Sequence, residues 1–365
     1  MIFPPAGTVC AVPDFLPSIR GRGSRHAGCS MIVINLFNKV AAALLTLFGV
    51  GVIVFCLLRI VPGDPIAMMI SPSATPADIA ALRARYGLDL GLFQQFLIWL
   101  KSVLQGDFGT SISLRRNVVE LISERLPATL ELAFAALAFG VAAGGTIAVI
   151  GTLCRRTLLE PGLEFLNGLF LAVPDFVWAL ALVLLLGVFF PVLPLSGRLD
   201  PSIATGFVTP FYLLESLARL DFQTFGDIAA HMTMPVLALG LPLASIIART
   251  LKESLAEAMV QDYVLLARLK GMSSLRLVLQ EALRNAVGPT LTLTGVQFTF
   301  MIGGTVIVER IFSYPGLGNM AIDAVVNRDL PLIQGVVLVF GALFILINII
   351  TDAIAALLDP RQVHG

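Results

Sequence analysis

Few residues in this chain could do chemistry, and their spacing decides what that chemistry is. The three histidines, His26, His231 and His364, stand far apart, and no HExxH occurs. Cys10, Cys29, Cys56 and Cys154 form no CxxC pair, which leaves them as small apolar side chains or incidental thiols. No GxSxG turn offers a nucleophilic serine, and no GxxxxGK[ST] loop offers backbone amides to a nucleotide. No catalytic residue and no metal-ligand set is therefore expected. What remains is acidic: Glu131, Glu164, Asp175 and Asp352 lie in or beside long apolar runs. Ionised groups in lipid are costly, so each must pair, reach the interface or face a polar cavity. Glu131, Glu164 and Asp352 lie near the ends of their runs, where pairing or snorkelling suffices; Glu131 is kept as a pathway candidate. Asp175 lies deeper, beside Pro174, and is expected to face a water-filled path where it would favour cationic groups. Gln297 is a further pathway candidate.

The elements that position these residues can be read from composition. Hydrophobic residues make up 57% of the 365-residue chain and charged residues 13%, with a mean hydropathy of +0.91. Soluble domains carry about a quarter charged residues, so the solvent for this chain is lipid. The 24 basic and 24 acidic residues balance, which speaks against a nucleic-acid partner. A helix needs about 20 residues to cross a bilayer. Six runs approach that length: 40–58, 130–153, 163–190, 232–248, 287–308 and 332–358. The fourth is the shortest and contains Pro235 and Pro242. Lipid leaves no backbone group unpaired, so the fold class is all-α with six spans. Pro127 suits the first turn of the second span. Gly140, Gly144, Gly145 and Gly151, and later Gly303 and Gly304, suit close helix packing.

Lys39, Arg155, Arg156 and Arg361, together with the cations of 249–284, put both termini and that segment in the cytoplasm. Residues 1–30 are rich in Pro, Gly and Ser, without helical period, and read as a non-native or disordered extension before Met31. Residues 31–130 would hold the first span and an outer segment, and 131–365 the core. In the outer segment, Thr75-Pro76-Ala77-Asp78 opens a helix that Gly87 stops. A second outer helix carries Phe96, Leu97, Leu100 and Leu104 on one face, lying at the membrane surface.

Between spans four and five, residues 256–289 have helical period. Met259, Tyr263, Leu266, Ala267 and Lys270 lie along one side, Gly271 can turn a corner, and Ser273 or Ser274 can cap a second helix. The expected form is two helices bent at Gly271, the second re-entering the membrane near Pro289. Two readings stand on periodicity alone: a solvated amphipathic loop, or a helix that docks in a groove of another protein.

Asp262-Tyr263-Val264, Ala267-Arg268, Lys270-Gly271, Leu283-Arg284-Asn285 and Pro289 resemble the cytoplasmic coupling motif of ABC importer permeases, in the form found in dipeptide, oligopeptide and nickel permeases. Leu265, Leu266, Glu281 and Arg284 depart from the general importer pattern, and Asp175 stands where that family more often has Ser. Further matches run in order: Val61-Pro62-Gly63-Asp64-Pro65, Gly87-Leu88-Asp89, Gly106 to Ser111, Leu126 to Leu132, Val308 to Gly318, Arg328-Asp329, and Asp359-Pro360-Arg361. The resemblance implies a type I importer permease of the bacterial inner membrane, passing dipeptides or oligopeptides by alternating access. It implies as partners a second homologous permease chain, two ATP-binding-cassette subunits that hold ATP and Mg, and a periplasmic or lipid-anchored binding protein. This chain itself would bind no cofactor. Nickel, glutathione, opines or oligosaccharides remain alternative cargoes, and a stand-alone carrier is the alternative mechanism.

Overall fold

The computed structural model describes residues 24–60, 75, 90–203 and 206–358. The described residues are helical apart from turns, loops and one isolated bridge, Thr110 to Asn117. Residues up to Thr46 form one compact unit and those from Leu47 a second, which holds the helix bundle. In chain order the helices are α1 (Ser24–Ile60), α2 (Leu92–Leu104), α3 (Val118–Leu153), α4 (Leu159–Ala172), α5 (Asp175–Phe189), α6 (Tyr212–Ala218), α7 (Phe222–Ala258), α8 (Asp262–Leu269), α9 (Ser274–Ile311), α10 (Leu317–Val326) and α11 (Leu330–Leu358). Five of them are long and apolar enough to cross a membrane: α1, from Ala41 to Arg59, then α3, α7, α9 and α11.

The candidate for a sixth crossing is the bent pair α4–α5, which turns through 102° at Val173-Pro174. A continuous third span was expected over 163–190. The helix instead breaks at Pro174, whose ring crowds the preceding turn and whose nitrogen carries no hydrogen. The fourth span departs the other way. Pro235 and Pro242 lie inside α7, yet α7 runs for 37 residues and is the central helix of the bundle. Its inward face includes Met234, Ala238, Leu239, Ala244, Ile247 and Leu251. Length at its N-terminal end comes from Asp221, whose Oδ1 accepts the Thr224 amide and caps the helix eleven residues before the expected start.

Small residues let α3 lie close against α7. A β-carbon at Gly144 would stand 2.5 Å from the Ala244 carbonyl oxygen, and one at Gly140 would stand 2.7 Å from Leu243 Cδ2. Pro127 is not in the first turn of α3: Asn117 caps the helix through the Val119 amide at 2.8 Å, and Pro127 lies buried inside it. On α2 the packed face is Gln95, Phe96 and Trp99, while Leu97 and Leu104 stay exposed. Aromatic complementarity decides this register: Phe96 meets Phe55 at 5.3 Å between centroids, and Trp99 lies over Gly51 of α1. The start of α1 at Ser24 falls inside the expected extension at 1–30, and residues 1–23 lie outside the described residues. Outside them as well lie 61–65, the helix expected after Thr75, Gly87-Leu88-Asp89, and 359–361.

Candidate functional site

Two regions concentrate the residues singled out by sequence, one at each end of the bundle. At one end, α7 passes into α8 at Met259, and α8 turns into α9 at Gly271. Gly271 has φ +82°, its amide donates to the Arg268 carbonyl at 3.0 Å, and the Met272 amide donates to the Ala267 carbonyl at 3.3 Å. This pair of bonds is the Schellman arrangement, which satisfies the last carbonyls of a helix when a left-handed residue comes after it. Ser273 occupies the first position before α9, without a side-chain bond to the helix.

The periodic stripe of α8 divides in the structure. Val264 and Ala267 turn inward against Leu277, with Met259 and Met272 alongside. Tyr263, Leu265, Leu266 and Leu269 turn outward, with Asp262, Arg268 and Lys270 exposed among them. The side chains expected to share one face with Met259 thus fall on both, because a helix this short packs only through the residues facing Leu277. On α9, Leu283 is half-buried beside Ala258 and Ala286, while Arg284 and Asn285 are exposed. Residues 277–282 wind as a π-helix, fitting Val278 and Ala282 between the ends of α3 and α7. Lys252 of α7 reaches α4 at the same end, with Nζ 2.8 Å from Glu164 and 3.0 Å from Glu160. Pairing, one of the two options for Glu164, is what the structure adopts.

At the opposite end, three carboxylates fasten the connecting loops. Glu131 does not open toward a path. Its Oε2 accepts from Arg198 at 2.6 Å, and its Oε1 accepts the Leu213 and Leu214 amides at 2.9 and 3.2 Å, capping α6. Arg198 also stacks on Tyr212, its Cζ 4.0 Å from the ring centroid. Glu309, fully buried, accepts the Thr129 hydroxyl at 2.7 Å and the Asn319 amide at 3.0 Å, while Thr129 accepts the Leu317 amide at 2.7 Å. A β-carbon at Gly316 would fall inside that carboxylate, which explains the glycine. Asp329, also fully buried, accepts Ser111 Oγ at 2.6 Å and Ser113 Oγ at 2.7 Å, and caps α11 through the Leu332 amide. Sequence reasoning found these segments as motifs but missed their partners. Thr129 with Glu309, and Ser111 with Asp329, join motifs some 180 and 218 residues apart.

Between the two ends lies the break in the third span. Asp175 stands in the first turn of α5, half-buried; its Oδ1 accepts the Phe176 amide at 2.7 Å, and its Oδ2 lies over Gly304 of α9. Gln297 is half-buried on α9, two turns from Gly304. His231 is buried with Nδ1 2.9 Å from the Asp227 carbonyl oxygen, and Asp352 is exposed near the end of α11.

Comparison with known proteins agrees with this architecture. Residues 32–133 match the family described as the N-terminal part of the binding-protein-dependent transport system membrane component, and residues 136–364 match the binding-protein-dependent transport system inner membrane component. The chain is similar to the di/tripeptide transport system permease protein DppB of Pseudomonas aeruginosa, 37% identical over 87% of this chain and 95% of that protein. It is similar to the dipeptide transport system permease protein DppB of Escherichia coli K12, 33% identical over 90% of this chain and 98% of that one. The glutathione transport system permease protein GsiC of Salmonella choleraesuis is 34% identical over 89% of this chain and 97% of its own length. Among solved structures, the inward-facing MetNI methionine ABC transporter shares the fold, with a TM-score of 0.50 at 15% identity over 66% of this chain and 97% of that chain.

Proposed function

The chain belongs to the binding-protein-dependent transport system inner membrane component family, and from that membership we propose that it is the permease subunit of an ATP-driven importer of dipeptides or oligopeptides. The observation that carries the mechanism is α8. An eight-residue helix, held by a small core and a left-handed corner, turns Tyr263, Leu265, Leu266 and Leu269 away from its own chain. Apolar side chains displayed in this way among Arg268, Lys270 and Arg284 suit a groove in a cytoplasmic protein. That protein is the ATP-binding-cassette subunit, one for each of two permeases, and it holds the nucleotide and Mg. Asp262, Tyr263, Val264, Ala267, Arg268, Lys270 and Gly271 form the gripped helix; Leu283, Arg284 and Asn285 carry its displacement into α9. This end and the C-terminus then lie in the cytoplasm, as the basic residues near the span ends also support. The fastened loops lie outside, where a binding protein delivers cargo. Asp175 and Gln297 face the pathway, whereas Glu131 serves the outer loops. Similarity to the glutathione permease keeps a modified tripeptide as a second cargo.

The test is reconstitution of the whole assembly in liposomes with its two ATPase subunits and binding protein. Labelled dipeptide uptake should require ATP, and the ATPase subunits should co-purify with the permease. Uptake by this chain alone, or labelling of a cysteine at position 270 from the external face, would refute the proposal.

A further inference from the structure

The broken span carries a carboxylate oxygen that the fold does not use. Oδ1 of Asp175 is spent on the Phe176 amide, but among the described residues Oδ2 receives no donor and pairs with no cation. It stands over Gly304 of α9. A β-carbon at Gly304 would be 2.8 Å from Oδ2, whereas one at Gly303 would meet nothing within 4 Å. Glycine at 304 thus leaves that oxygen uncovered, and Asp175 stays half-exposed.

The break supplies further acceptors. Pro174 brings no N–H to the Phe170 carbonyl, and the 102° bend turns the last carbonyls of α4 out of the helical ladder. Elsewhere on the two half-helices, Asn167 Oδ1 of α4 and Trp178 Nε1 of α5 are buried without a partner among the described residues. A carboxylate oxygen with outward carbonyls matches an ammonium group, which has three donors and needs a negative counter-charge away from water.

Resting on the reading of this chain as a peptide permease, we infer that Asp175 is a subsite for the free amino group of the passing peptide and selects cargo by that charge. Asp175→Asn keeps the Oδ1 acceptor for Phe176 and removes the charge, so the fold is retained. Asp175→Glu keeps the charge.

The test uses the full reconstituted assembly at saturating occupancy of the binding protein, with dialanine as the probe. The Asn variant should take up dialanine about tenfold more slowly than wild type. Its melting temperature and its co-purification with the ATPase subunits should be unchanged. The Glu variant should fall between the two. Equal uptake by Asn variant and wild type, or equal losses in the Asn and Glu variants, overturns the inference while the importer reading stands. Wild-type assemblies that move no peptide overturn both.

Discussion

Gly271 gives the sharpest test of the coupling helix, because its environment separates backbone conformation from size. Its φ is +82°, and nothing lies within 4 Å of the place a β-carbon would occupy. A side chain there meets no neighbour, so the cost of substitution is that of holding an L-residue in the left-handed region. That cost is about 1–2 kcal/mol for alanine and up to about 3 kcal/mol for a β-branched residue. Asn tolerates this region best among the non-glycine residues. A chain that leaves the region to escape the strain gives up the bonds to Arg268 and Ala267 and withdraws Met272 from Val264, Ala267 and Leu277. Since those residues are nearly all that hold α8 in place, 1–2 kcal/mol shifts its docked population by a factor of about 5–30. ATPase capture from solubilised membranes and ATP-dependent dialanine uptake should both fall in the order Gly, Asn, Ala, Val, with membrane insertion unchanged. Asparagine is larger than alanine, so ranking by size would put Ala ahead of Asn. That order, or wild-type uptake by Gly271→Val, refutes the conformational account.

The charged groups give three further outcomes. Arg198→Met leaves Glu131 buried without its cation and should lower the stability of the outer loop by about 3–5 kcal/mol, read as a lower melting temperature and faster proteolysis within 190–221; adding Glu131→Gln should restore much of it. Lys252→Glu sets three acidic groups together at the junction of α4 and α7 and should reduce uptake per ATP hydrolysed, with Glu164→Lys in the same chain restoring it. These groups are partly exposed, so the change in stability should stay within about 1 kcal/mol. Outside the spans, the Thr209 hydroxyl, with the Val208 and Thr209 amides, holds the Glu215 carboxyl down at about 2. A depressed carboxyl stabilises the folded loop above the usual carboxylate range, and that contribution fades as pH falls toward about 2. Amide-exchange protection of 208–218 should therefore be flat from neutral pH down to about pH 5 and decline below it; a decline beginning above about pH 6 contradicts the assignment.

Hydropathy and glycine chemistry made much of this fold legible. Five spans and the Gly271 corner could be placed from residue type alone, since an apolar run and a left-handed turn each have one economical solution. The break at Pro174 was signalled by the proline itself, but Pro235 and Pro242 carry the same signal and sit in an unbroken helix. The difference lies in surroundings: α7 is packed along most of its length, which holds its course through the prolines, whereas α4 buries no residue in its own chain. Nothing local to a proline encodes that contrast. The buried anchors were illegible for a related reason. Glu309 and Thr129, or Asp329 and Ser111, are paired only by tertiary folding, so each reads in sequence as an isolated polar residue. Glu131 read as a pathway candidate because Arg198, 67 positions away, could not be assigned to it.

The two ends of the bundle are held by different kinds of contact, and the difference bears on how work would pass through it. At the end away from α8, Glu131, Glu309 and Asp329 fasten three loops to the ends of α3, α9 and α11 through buried hydrogen bonds. Breaking any one leaves a buried polar group unpaired, so these loops should travel with their helices as one body. At the other end, α8 rests on a core of Val264, Ala267 and Leu277, and α4 is tied to α7 by the partly exposed bridge of Lys252 with Glu160 and Glu164. Contacts of that kind are individually weak and can be remade in a second arrangement. In the proposed coupling, a pull on α8 would act first where the structure yields. It reaches α4 through Lys252, and α4 ends at the bend beside Asp175. A bend of this sort absorbs rotation between two half-helices at little cost, because its backbone bonds are already broken. The compliant part of the fold would thus run from the hairpin to the break, with the loops at the opposite end moving as one body.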